Sequence, residues 1–147
     1  MEKLLHFLQE NQVQYEILYH EKPIASAQDG AAWFGIELGQ TAPTLILKGD
    51  QGYAALIISG NYGRVDLAVL AQKVGPGKLK LAKPQEVVEV TGFTIGSVPL
   101  IGHGLPVILD SGLYKYEWIF GGTGVPEATL KIKPSEVERL NRVLARL

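Results

Sequence analysis

The chain contains no cysteine and only one methionine. Disulfides, thiolate metal sites and cysteine nucleophiles are therefore excluded. Charge of one sign is also lacking: 14 Lys and Arg stand against 15 Asp and Glu, for a net charge of −1. Such a balance gives no global field to attract nucleic acid, so any contact with RNA must come from a local patch. No apolar run approaches the roughly 20 residues that span a bilayer. The opening Met1–Leu8 segment has an acid at Glu2, a short apolar run and no small-residue cleavage site, unlike a signal peptide. The three histidines, His6, His20 and His103, have no metal-ligand spacing. These absences predict a cytoplasmic protein with no metal, cofactor or membrane partner.

At 147 residues and 46% hydrophobic content, the chain can bury a substantial core as one domain spanning 1–147. No internal repeat or linker-like run interrupts it. Residues 2–11 read as a helix with Leu4 and Leu8 one turn apart, and Tyr15 to Tyr19 as a strand. Ser26 with Asp29 opens a second helix, which Gly35 or Gly39 ends. Thr44–Lys48 and Tyr53–Ser59 flank a Gly49–Gly52 turn and predict an antiparallel hairpin. Asp66 caps a helix carrying Leu67, Leu70, Ala71 and Val74, and Pro84 starts another through Val90. Val107–Asp110, Tyr116–Phe120 and Ala128–Ile132 read as strands. Pro134 opens a final helix with Val137, Leu140 and Leu144 on one face. The pattern predicts an α/β protein of the α+β type, with a mixed, largely antiparallel sheet flanked by helices.

Several chemistries fail on inspection. There is no Gly-x-Ser-x-Gly elbow. Val74–Lys78 hints at a phosphate loop, but Gln72 replaces its first glycine and Leu79 its Ser or Thr. Gly102-x-Gly104 and Gly122-x-Gly124 lack the third glycine of a dinucleotide fingerprint.

Four features remain. Side chains alternate along a strand, so Thr44, Ile46 and Lys48 share a face. The Lys48 ammonium either reaches beyond Ile46 into a pocket or is a solvated lysine entering a turn. The loop Gly96-Ser97-Val98-Pro99-Leu100-Ile101-Gly102-His103 combines glycines, which let a backbone approach a ligand closely, with a proline that fixes its shape. Bare N–H groups in such a loop can hold a carbonyl oxygen and stabilise an oxyanion. The other reading is a connection with unusual dihedrals. His103 either exchanges a proton or bonds a backbone group. Lys73, Lys78, Lys80 and Lys83 lie within an acid-free stretch, either as a phosphate-binding patch or as a solvated helix end and turn. The pairs Trp33–Phe34 and Trp118–Phe120 serve either base stacking or packing.

Taken in order, Thr44–Lys48, Gly92–Pro99, Gly102-His103, Asp110 and Gly124-Val125-Pro126 resemble the YbaK/prolyl-tRNA synthetase editing-domain family. The resemblance runs from His20 to the last helix. It implies hydrolysis of mischarged aminoacyl-tRNA in trans, acting at the acceptor end and in association with a synthetase. It assigns the family's essential lysine to Lys48, and a catalytic role in holding the ester carbonyl to Gly96. Substrate binding falls to Ile46, Ser97, Val98, Pro99, Gly102, His103 and Gly124. Ser97 and Leu100 depart from the Gly-Gly and second proline common in the family. The attacking water would be oriented by the substrate's own 2′-hydroxyl, without a protein nucleophile. Two other functions fit the same residues: a non-catalytic tRNA-end or synthetase-binding module, and an esterase for small acyl metabolites.

Overall fold

The computed structural model describes residues 1–75 and 77–147; Pro76, inside the Val74–Lys78 segment, lies outside the described residues. The elements run α1 (Glu2–Glu10), β1 (Tyr15–Tyr19), α2 (Ala27–Phe34), β2 (Thr41–Ala42), β3 (Thr44–Gly49), β4 (Gly52–Ile57) and α3 (Leu67–Val74). There follow β5 (Lys80–Leu81), α4 (Pro84–Thr91), β6 (Val107–Leu109), β7 (Ile119–Gly122), β8 (Ala128–Ile132), α5 (Pro134–Arg139) and β9 (Val143–Arg146). The α+β architecture contains two mixed sheets rather than the single sheet expected. One has the order β1-β8-β7-β2, antiparallel except where β2 runs parallel to β7. The other has the order β5-β3-β4-β6-β9, with β4, β6 and β9 mutually parallel.

Alternation along the central strands explains the layering. Ala55 and Ile57 of β4, with Val107 and Leu109 of β6, face a core shared with Ile119, Leu130 and Ile132 of the first sheet. Leu56 and Ile108 point the other way, onto Leu47 and Leu70 of α3. Both faces of these strands are buried, hence their uninterrupted apolar runs.

Local signals act at the residues that carry them. The Ser26 hydroxyl accepts from the Asp29 N–H at 3.1 Å, and Gly35 closes α2 at φ +65°. Asp66 accepts from the N–H groups of Ala68 and Val69 at the start of α3. Two boundaries differ. The predicted Tyr116–Phe120 strand begins only at Ile119, because Asp110 caps a 3-10 turn over Ser111–Lys115 and the Tyr116 N–H closes it on the Leu113 carbonyl. The predicted last helix stops at Arg139. Residues 143–146 are instead the edge strand β9 beside β6, with Val143 packed on one core and Ala145 on the other. Pairing with an otherwise open strand edge outweighs the helical spacing of Leu140 and Leu144.

Candidate active site

Thr41 and Ala42 pair in parallel with Phe120 and Gly121, which brings the entry to β3 against the first sheet. The glycine loop crosses here. A Cβ on Gly122 would stand 2.1 Å from the Val98 carbonyl oxygen, and one on Gly121 would stand 2.6 Å from the Leu100 side chain. The two glycines let the loop lie directly on β7. The Leu100 N–H then bonds the Gly122 carbonyl at 3.1 Å and pins it there.

A cavity of about 250 Å³ opens at this junction. Its walls are α2 and the segment before it, the Thr41–Leu45 segment, the loop residues Ile95–Val98, and the facing parts of β7 and β8. They are mainly apolar, with Phe34 stacked on Phe120 at 5.5 Å between ring centres. Its polar side chains are His20, Ser26, Thr41, Thr44, Ser97 and Thr129. The Thr44 hydroxyl is buried without a hydrogen-bond partner among the described residues. Gly96 sits at φ +85°, a conformation that favours glycine. Ser97 N–H turns back onto the Thr94 carbonyl, whereas the N–H groups of Gly96 and Val98 make no hydrogen bond to the described residues. Two unpartnered backbone donors on residues that line one cavity are suited to a carbonyl oxygen that gains charge.

Of the residues singled out from sequence, Gly96, Ser97 and Val98 line this cavity. Pro99 is buried and is not part of the lining, and Ile46 packs in the core with Val87 of α4. Gly124 is one residue from the lining residue Val125 and lies against the Phe93 ring. Gly102 is exposed on a separate surface groove with Ile101 and Leu105.

His103 is buried away from the cavity lining. Its Nδ1 accepts from the Leu105 N–H at 3.0 Å, so its proton is on Nε2, which has no partner among the described residues. Burial pushes this imidazole down to about 4.

Lys48 is not part of the cavity lining. It does share a strand face with Thr44 and Ile46, but that face is long. At about 3.3 Å per residue, Lys48 lies ~13 Å along β3 from Thr44. Its Nζ is 2.6 Å from Glu86 Oε2 on α4, and the Tyr53 hydroxyl donates to the same oxygen at 3.2 Å. Glu86 Oε1 accepts the Lys83 N–H at 2.9 Å and so caps α4. The bond to Lys48, then that to Lys83, holds the Glu86 carboxyl down at about 2, and the Lys48 ammonium is raised in turn, first by its bond to Glu86. Lys48 also stands opposite Lys80 across β3 and β5.

Sequence reasoning missed His20 and Thr129 as cavity residues and read Phe34 and Phe120 only for stacking or packing. His20 lies just past β1 and Thr129 alternates with the core residues Ala128 and Leu130. A polar residue at an outward strand position is unremarkable until the topology places α2 over that face. Lys73, Lys78, Lys80 and Lys83 are all exposed, beyond the Lys48 end of β3. Trp118 lies beneath the ammonium groups of Lys131 and Lys133, at 5.2 and 5.3 Å. Trp33 is 60% exposed. No helix among the described residues is long and apolar enough to cross a membrane.

Known proteins share this fold and part of its sequence. A crystal structure of a candidate trans-editing enzyme for prolyl tRNA synthetase superposes with a TM-score of 0.82 at 31% identity, covering 96% of this chain and 92% of that one. The Bacillus subtilis protein YwhH is 27% identical over 138 residues, 92% of this chain and 87% of its own length. The multifunctional Ser/Thr-tRNA deacylase ProXp-y of Escherichia coli is 24% identical over 146 residues, 95% of this chain and 86% of its own. The pattern of the aminoacyl-tRNA editing domain matches residues 21–140. The chain belongs to the aminoacyl-tRNA editing domain family.

Proposed function

We propose that the protein is a trans-editing hydrolase, removing the amino acid from mischarged tRNA by cleaving its ester at the acceptor end. The observation that carries this reading is the mainly apolar cavity lined by Gly96 and Val98, whose N–H groups have no partner among the described residues. The ester carbonyl sits on these donors, which stabilise the oxyanion formed on attack. The Thr44 hydroxyl supplies one further hydrogen bond, and Phe34, Phe120 and Val98 enclose the amino acid side chain. Positioning the ester beside the attacking oxygen, a water oriented by the ribose 2′-hydroxyl, supplies much of the acceleration. Ser97 and Leu100 shape the pocket from the loop side: Ser97 directly, Leu100 through its contact with Gly121. In this reading Lys48 braces β3 against α4 and does not touch the amino acid.

The experiment is a deacylation panel with tRNA charged by serine, threonine, alanine and proline, with a small-molecule ester alongside. Cleavage of a non-cognate aminoacyl-tRNA, with the small ester untouched, is the expected result. Binding of charged tRNA without hydrolysis would make the domain a tRNA-end binding module. Cleavage of the small ester alone would make it an esterase of acyl metabolites.

A further inference from the structure

The cavity wall holds a histidine whose two ring nitrogens are both accounted for. His20 is 7% exposed, just past β1, and its backbone N–H bonds the Glu127 carbonyl at 2.9 Å. Its Nδ1 is 2.7 Å from the Lys22 carbonyl oxygen. A carbonyl only accepts, so Nδ1 carries the proton. In the neutral ring Nε2 then offers a lone pair, and Thr129 Oγ1 is 3.0 Å from it. The threonine hydroxyl therefore donates to the histidine, and its own lone pairs remain free for a donor in the cavity. Both residues line that cavity. Among the described residues the lining contains no Asp, Glu, Lys, Arg, Cys or Tyr. Among the described residues His20 is the sole side chain of that lining with a basic nitrogen.

We propose that His20 and Thr129 form the proton-accepting pair of this cavity, a role that rests on the deacylase reading above. The geometry is that of a hydroxyl activated by a base, with the base oriented by a third group, here the Lys22 carbonyl. Water, lying against Thr129 Oγ1, attacks the ester carbon. Its proton passes to Thr129 Oγ1 as the threonine proton passes to His20 Nε2. The tetrahedral intermediate collapses and the bond from carbon to the ribose oxygen breaks. The imidazolium returns the proton through the same hydroxyl to that oxygen, leaving a free amino acid, an uncharged tRNA end and the starting pair. The pair takes the proton of the water that the 2′-hydroxyl orients.

The ring packs among aromatic side chains. Phe34 meets it edge-on at 6.1 Å, and Phe120 stacks on Phe34. On the adjoining elements the charged residues point elsewhere. Glu21, Lys22, Asp29 of α2 and Glu127 are exposed. Lys131 of β8 is drawn to Glu16 at 3.8 Å and to the Trp118 ring.

The test is single-turnover hydrolysis of seryl- and threonyl-tRNA across a pH series, using the full chain. The wild type should lose rate toward acid pH, as a rate carried by a general base does. Thr129→Val keeps the side-chain shape but removes the hydroxyl. It should lower the rate about 10²-fold and abolish the acid limb, with little change in KM. Thr129→Ser should restore the rate to within a few fold, and His20→Gln should match Thr129→Val. Imidazole ¹⁵N shifts should report the Nδ1–H tautomer of His20 in the wild type. An Nε2–H tautomer, or Thr129→Val with wild-type rate and pH profile, overturns the pair while leaving the deacylase reading intact. A wild type that cleaves no aminoacyl-tRNA of the full panel removes that reading, and the pair's role with it.

Discussion

Lys48 Nζ and Glu86 Oε2 stand 2.6 Å apart and tie the end of β3 to the first turn of α4. This bond takes up the ammonium that the family resemblance assigns to catalysis. It also places that ammonium several residues along the strand from the cavity.

The pairing predicts that Lys48→Ala leaves deacylation within about threefold of wild type and lowers the thermal midpoint at pH 7. Glu86 is held at about 2 against an ordinary 4.5, so its stabilising contribution is complete above 4.5 and fades as pH falls toward 2. The difference in midpoint between variant and wild type should fade over the same window. Loss of deacylation by a folded Lys48→Ala protein would return the lysine to the substrate.

His103 predicts a second, separate pH dependence. Its imidazole titrates at about 4 in the folded chain against 6.5 when exposed. Between those values the unfolded chain binds more protons, so stability rises with pH up to about 6.5 and is lost below it. The full swing is about 3 kcal/mol, since a tenfold change in proton affinity is worth about 1.4 kcal/mol. Urea midpoints from pH 7 to pH 4 should fall steeply in wild type and more gently in His103→Gln, which keeps an acceptor for the Leu105 N–H. Parallel curves for the two proteins would contradict the assignment.

Glycines in the site differ in why they must be glycine, and their alanine variants should separate. At Gly96 a Cβ meets nothing within 4 Å, so only the φ of +85° resists it. Gly96→Ala should cost about 1–2 kcal/mol and leave the loop seated. At Gly122 the new Cβ would meet the Val98 carbonyl oxygen at 2.1 Å, so the loop itself must lift. Gly122→Ala should therefore lose more stability and at least tenfold in deacylation, since the Val98 N–H moves with its neighbour. Chemical melts and single-turnover rates measure both. Equal, small effects would show that the loop tolerates displacement from β7.

Lys80 and Lys83 predict the path of the tRNA. Both are exposed and precede α4, in whose first turn Glu86 is already committed to Lys48. If the acceptor stem runs from the cavity along β3, its phosphates meet these ammonium groups. Lys80→Glu with Lys83→Glu should weaken tRNA binding and flatten its salt dependence by roughly 0.7–0.9 for every phosphate that is no longer neutralised. Binding titrations at several salt concentrations give the slope. An unchanged slope would leave the cluster a solvated surface.

Much of this protein is legible along the chain because its causes are local. Ser26, Asp66, Pro84 and Gly35 bound helices through dihedrals and caps that involve their immediate neighbours. The alternation of β3 and the apolar runs of β4 and β6 likewise mark strands without knowledge of partners. The Gly96–Val98 loop stands out for the same reason, since glycine and proline act on the backbone where they occur. The tertiary structure decides what depends on residues far apart in the chain. Residues 143–146 become a strand because β6 offers an unpaired edge, which no periodicity in Leu140 and Leu144 encodes. Lys48 joins Glu86, 38 positions away, and His20 joins Thr129, 109 positions away, only after both sheets are assembled. Sequence alone determines the family and the glycine loop beside the cavity. The side chains facing that loop are chosen by strand pairing, because a hydrogen bond of about 3 Å requires a register that distant residues acquire only on folding.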